Sequence, residues 1–339
     1  MAGGSWDSTA LPKRPGLYLN FVEAATAQIQ GGARGIIAMP IMTSSGTAVA
    51  KTMYTVSKES EAATLFGEGN IQSIKFALQG GAKEVLAYAM ETTPDYAAMR
   101  DEFDKYEFNV FVFDGTADTS EQASVKTWIE TNRSEGKHFM AVLGRSDDSA
   151  VPATKEFDED YIIHLINGVK IEDETHHSAA FAPYIAGLIA GTAINKSITY
   201  NQVFVDDVNV RFKHSDIKTA LGNGALVLVH DGGRVKIEQG ISSSTKKIRA
   251  IRARQAVATD ITKAAAEAYI GKLNNNEDGQ KALIGVIKAY LETLENANVL
   301  SDITVELDAN QVSEGDSVFL IVGYKEVDSM ERIFLNINV

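Results

Sequence analysis

The spacing of apolar residues along the chain changes several times, and each change predicts an element. Residues 16–22 alternate, with Leu17, Leu19 and Phe21 on one side, as a short strand requires. Pro12 and Pro15 forbid a helix just before it, so the first fifteen residues are expected to form an extended arm. The apolar run at 36–42 reads as a buried strand. Helical patterns follow at 60–65, 71–80, 94–105, 120–135 and 178–193, the second closed by Gly80-Gly81. Strand patterns lie between them at 84–90, 108–113 and 138–143, with a strand or hairpin over 162–171. Such alternation predicts a mostly parallel α/β sheet. The helix at 178–193 is built of small apolar residues and is expected to pack closely.

The character of the sequence shifts after about 222. Asp231-Gly232-Gly233 separates two apolar segments and predicts a hairpin. Residues 247–257 read either as a basic β-rich segment or as the start of a helix. Residues 260–270 read as a helix that Asp260 is placed to cap. The clearest helix is 280–297, where Leu283, Ile287, Tyr290, Leu291 and Leu294 form one stripe opposite Lys281, Lys288, Glu292 and Glu295. A strand is expected at 318–324. The chain closes on an alternating run with Ile333, Leu335, Ile337 and Val339 on one face. The expected fold is a middle α/β domain (23–222) with a mostly parallel sheet and a C-terminal α+β domain (223–325). Extended β-arms flank them at 1–22 and 326–339.

Composition narrows the function classes. A chain of 339 residues, 45% hydrophobic and 23% charged, is large enough for two globular domains. The apolar stretches near 180–190 and 226–229 fall well short of the roughly 18 residues a membrane span needs, so no membrane insertion is expected. The first residues lack the basic and apolar regions of a signal peptide. The absence of cysteine removes disulfides, thiol catalysis and thiolate metal sites, and fits a reducing compartment. A net charge of −13 argues against nucleic-acid binding. Against that background Lys246, Lys247, Arg249, Arg252 and Arg254 form a local basic cluster. It reads either as a docking face for an acidic protein or as a solvated strand edge that deters pairing.

Candidate chemistry does not assemble into a site. Phe66-Gly67-Glu68-Gly69-Asn70 precedes a helix, but position 72 is Gln and the dinucleotide fingerprint is incomplete. Residues 45–52 end like a phosphate loop, yet Ser45 and Ala50 occupy the two required glycine positions. Glu172, Asp173, His176 and His177 would gather a metal if they lay on one helix; a solvated loop is the plainer reading. Asp114, at a strand end, is placed either as a catalytic acid or as a turn cap. There is no Gly-x-Ser-x-Gly elbow. No catalytic, metal or cofactor-binding residue is predicted, and no cofactor. The two terminal strands either complete the chain's own sheet or pair with the edge of another copy, and spacing favours neither.

Several segments together resemble the sheath proteins of contractile tails. Lys13-Arg14-Pro15-Gly16-Leu17-Tyr18 is similar to that family's opening, and Thr64-Leu65-Phe66-Gly67-Glu68-Gly69 to its early turn. Ala186-Gly187-Leu188-Ile189-Ala190-Gly191-Thr192, followed by Ser197-Ile198-Thr199, resembles its small-residue helix. The stretch from Asp231-Gly232-Gly233 to Tyr269-Ile270-Gly271-Lys272 resembles the start of its C-terminal domain, and Val327-Asp328-Ser329-Met330-Glu331-Arg332-Ile333 its closing segment.

The resemblance, to short sheaths of defective prophages and phage-tail-like bacteriocins, implies a non-enzymatic subunit of stacked hexameric rings around a tail tube. It would be assembled in the bacterial cytoplasm into a virion or tail-like particle, with tube, baseplate and tail terminator proteins as partners. It also implies that strands from the arms link subunits, through Leu17, Tyr18, Leu19, Phe21, Ile333, Phe334, Leu335 and Ile337. Lys281 and Lys288, and after them Lys246, Lys247 and Arg249, are the expected tube-facing residues. The alternative is an α/β hydrolase or nucleotide-binding enzyme with a site of unfamiliar pattern.

Overall fold

The computed structural model describes residues 34–42, 44–116 and 118–337, together with the backbone of two short strands near the start. Those strands, β1 (Ala2–Gly4) and β2 (Gly16–Tyr18), pair in parallel. The strand expected over 16–22 is thus seen at 16–18. The side chains of Leu17 and Tyr18, and Leu19, Phe21 and Val339 entirely, lie outside the described residues.

The first body begins with β3 (Ile36–Ile41), β4 (Met53–Val56), α1 (Glu59–Phe66), α2 (Gln72–Gly80), β5 (Glu84–Ala89) and α3 (Tyr96–Phe103). It continues through β6 (Val110–Val112), α4 (Thr119–Ser134), β7 (Met140–Leu143) and β8 (Ile162–Leu165). Helix ends follow local chemistry. Asp95 and Asp118 accept backbone N–H bonds as N-caps of α3 and α4, and α2 stops at Gly81 in the left-handed region (φ 118°). Next come β9 (Val169–Ile171), β10 (Glu174–His176), α5 (Ser178–Gly191), β11 (Gln202–Val203), β12 (Asp207–Val208) and α6 (His214–Gly222). The hairpin region comprises β13 (Ala225–Leu226), β14 (Leu228–Asp231) and β15 (Arg234–Ile237).

Seven strands form the main sheet in the order β13-β8-β7-β6-β3-β5-β4, parallel except for β4 at one edge. Every residue of β6, β7 and β8 is buried, so both faces are covered, as a parallel sheet requires. Phe103, Phe108, Phe111, Trp128 and Phe139 form a contiguous aromatic cluster, while α5 lies along β3, β6, β7 and β8 and packs on α2. The change of sequence character near 222 is not a change of packing. β13 hydrogen-bonds to β8, and Leu226, Leu228, Val235 and Ile237 share the first body's core.

The second body holds α7 (Ile248–Ala264), a π turn at Ala265–Tyr269, α8 (Glu277–Asn296), β16 (Leu300–Leu307) and β17 (Leu320–Glu326). The helical reading of 247–257 is therefore the correct one. Asp260 is not a cap: α7 starts twelve residues earlier, and Asp260 is buried within it. Ala253, Val257, Ile287, Tyr290, Leu291, Leu294 and Leu300 form the core between the helices and the β16–β17 pair. Residues 331–337 join no ladder, and Ile333, Phe334, Leu335 and Ile337 project into solvent.

Candidate assembly surface

The enzyme-like features resolve into structural roles. In the loop before β4, the backbone N–H groups of Ser45, Thr47 and Ala48 donate to Phe66, Thr64 and Leu65, the last carbonyls of α1. They are spent on capping and are not free to cradle a phosphate. Glu172, Asp173, His176 and His177 do not share a helix, because the first two form the turn of the β9–β10 hairpin and His177 precedes α5. Among the described residues there is no metal-suited cluster of three or more His, Asp or Glu.

Asp114 follows β6 and ties it to β3, its Oδ2 accepting the Met42 N–H at 2.7 Å. Its Oδ1 is buried with no partner among the described residues, and burial pushes the carboxyl up to about 6. The turn-capping reading is the one the geometry supports. The sign of the pH dependence follows. A folded-state pKa above the unfolded value means that stabilisation is complete below the unfolded pKa and is lost as pH rises through 6. Asp114→Asn keeps the Met42 acceptor without the charge. Its stability relative to wild type is expected to rise by about 2–3 kcal/mol between pH 4 and 7. Urea unfolding across that range checks this; a pH-independent difference would refute it.

Each member of the basic cluster finds a partner within the chain, though Arg249 and Arg252 are buried while Lys246 stays half exposed. Lys246 pairs with Asp160 (2.7 Å), and Arg254 Nε donates to Glu326 (2.5 Å). Arg252 is buried and donates to the carbonyls of Thr192 and Ala193, which closes the C-terminal end of α5. Arg249, expected to face the tube, is also buried: its guanidinium donates to Ser329 Oγ (2.9 Å) and the Asn298 carbonyl (2.7 Å). Lys247 pairs with Glu331. Of the tube-facing candidates, Lys246 stays exposed beside Asp160, and Lys281 and Lys288 lie on the exposed side of α8, Lys281 paired with Glu277 one turn earlier.

These contacts converge on the chain from 326 to 331. Glu326 meets Arg254, the Val327 N–H donates to the Val299 carbonyl, Ser329 meets Arg249, and Glu331 meets Lys247. The exposed apolar run follows at once. The second body also presents the antiparallel β16–β17 pair, whose two outer edges carry no ladder among the described residues. One face of this pair packs on α8; Leu307 and Ile321 are exposed. An unpaired apolar segment and an unpaired sheet edge are complementary surfaces. The sequence pointed to the segment but missed the edge, because β16 was not foreseen.

Residues 89–243 match the phage tail sheath protein central domain, and residues 242–339 match the phage tail sheath C-terminal domain. The chain belongs to the contractile tail sheath family. The two matches run consecutively over about three quarters of its length. The tail sheath protein of Clostridium phage phiCD119 is 22% identical over 95% of this chain and 98% of its own. The fold is similar to that of a sheath tail protein from Desulfitobacterium hafniense (17% identity, TM-score 0.72, covering 92% of this chain and 100% of that one). It is also similar to the helical sheath of the anti-feeding prophage in its contracted state (15% identity, TM-score 0.76, 97% and 99% coverage). Membership places the chain among structural tail components.

Proposed function

We propose that this sheath subunit polymerises as stacked hexameric rings around a tail tube, and that its two arms are the links between copies. The observation that supports it is the exposed apolar run 333–337, unpaired among the described residues, on a chain that also presents a two-stranded sheet with no ladder at either edge among those residues. Strands from neighbouring copies add to those edges through main-chain hydrogen bonds, which tether subunits while the bodies move. Contraction then needs no fuel: an extended lattice is metastable, new lateral contacts lower its free energy, and the tube is driven through a cell envelope. The exposed face of α8, with Lys281 and Lys288, is the surface assigned to the tube. Baseplate and tail terminator proteins complete the particle, a virion or phage-tail-like body assembled in the bacterial cytoplasm.

Deletion of 332–339, or of 1–20, is expected to abolish polymers that the intact chain forms alone or with its tube partner. Electron microscopy and sedimentation read the outcome. Polymers of normal length and order from either truncated chain would overturn the arm assignment.

A further inference from the structure

The exposure of the chain changes abruptly around one residue. The Glu331 side chain is 10% exposed, whereas Met330 before it is 91% exposed and Ile333 and Phe334 after it are 72% and 90% exposed. Between Met330 and Phe334 it is Glu331 that turns inward, and it does so against three separate elements. Its Oε1 accepts from Thr199 Oγ1 (2.7 Å) and Ser197 Oγ (3.4 Å), on the segment after α5. Its Oε2 accepts from Gln239 Nε2 (2.9 Å), just beyond β15, and pairs with the Lys247 ammonium at the start of α7. The donor assignment is fixed on one side. A carboxylate only accepts, so the single Thr199 Oγ1 proton is directed to it, while Thr199 Oγ1 itself accepts the Gly240 N–H (2.9 Å).

A carboxylate holding two oxygens against several donors, one of them charged, is a strong and directional fastening. It stands at the boundary between chain that is bonded to the body and chain that is bonded to nothing described. We propose that Glu331 is the positioning residue of the C-terminal arm: it fixes the point and direction from which 332–339 leave the body toward a second copy. The inference rests on the arm reading above and adds to it a defined pivot. Residues 326–331 stay with their own body as subunits move, and the chain bends only beyond Glu331. Without that fixed origin an arm can still pair, but the distance and angle between linked bodies are no longer held constant.

The test uses the full chain carrying Glu331→Ala, and Glu331→Gln as the same-size variant that opposes an amide NH₂ to the surrounding donors. Hydrogen exchange of the monomer is expected to speed roughly tenfold over 327–331 in both variants, with β3–β8 and α8 unchanged. Polymers are expected to form but to show variable subunit spacing by electron microscopy. The double variant Lys247→Glu with Glu331→Lys should restore part of both the protection and the order. Unchanged exchange at 327–331, or regular wild-type polymers from Glu331→Ala, would overturn the anchor while leaving the arm reading intact. Normal polymers from the chain truncated after Glu331 would instead overturn the arm reading itself.

Discussion

Gly187→Ala is expected to lower the unfolding free energy by about 3 kcal/mol or more, because the methyl group has nowhere to go. A Cβ at 187 would stand 2.1 Å from the Ala77 carbonyl oxygen and 3.2 Å from Gly80 Cα, both backbone atoms of α2. The contact is reciprocal, since a Cβ at Gly80 would stand 2.2 Å from the Tyr184 carbonyl oxygen in α5. No rotamer change relieves a clash with helix backbone, so α5 and α2 would have to part by about 1 Å, enough to forfeit much of their dispersion contact. α5 also lies along four strands of the main sheet, and the displacement would pass into Phe181, Ile185 and Ile189, all fully buried. Gly285→Ala supplies the contrast. It sits in α8 with open space around its Cβ, and alanine there should stabilise by roughly 0.5–1 kcal/mol through helix propensity. Denaturant unfolding of the two variants separates these outcomes. A Gly187→Ala chain as stable as wild type would show that the helices are not in close contact.

The small-residue run at 186–192 already announced that packing, since a helix lined with Gly and Ala is one that admits a neighbour's backbone. The parallel sheet was equally readable, because strand-length and helix-length patterns alternate with clear breaks such as Gly80-Gly81. β16 was missed although Ile303, Val305 and Leu307 alternate; a register shift between Ser301 and Thr304, with Asp302 at φ 55°, separates that short run from the apolar Val299 and Leu300. Charge was misread for a global reason. Lys246, Lys247, Arg249, Arg252 and Arg254 are adjacent in sequence, but their partners Asp160, Glu331, Ser329, Thr192 and Glu326 are scattered over the chain. Spacing within a segment carries no record of what folds onto it. For the same reason the alternation at 333–337 identified a strand-forming segment without showing that it would stay unpaired among the described residues.

Asp260→Ala is expected to cost about 3 kcal/mol, nearly as much as the glycine substitution, by cutting the tie between the start of the first body and both helices of the second. Asp260 Oδ2 accepts from Arg34 Nη2 at 2.9 Å and from the Tyr290 hydroxyl at 2.5 Å, so one buried oxygen joins the chain before β3, α7 and α8. An aspartate in mid-helix is unfavourable by propensity, and its presence there is accounted for by this junction. Burial, and next the hydrogen bond to Asp260, hold the Tyr290 phenol well above its ordinary pKa, so it remains a donor throughout the neutral range. Loss of the carboxylate leaves the hydroxyl only the longer bond to the Ala256 carbonyl (3.4 Å) and leaves the Arg34 guanidinium without this partner. Arg34 is 31% exposed and recovers some hydration, which keeps the cost below that of a fully enclosed pair. Tyr290→Phe removes one bond and keeps the ion pair, so it should cost only about 1 kcal/mol. Equal losses from Asp260→Ala and Tyr290→Phe would mean that the hydroxyl bond, and not the salt bridge to Arg34, joins the two bodies.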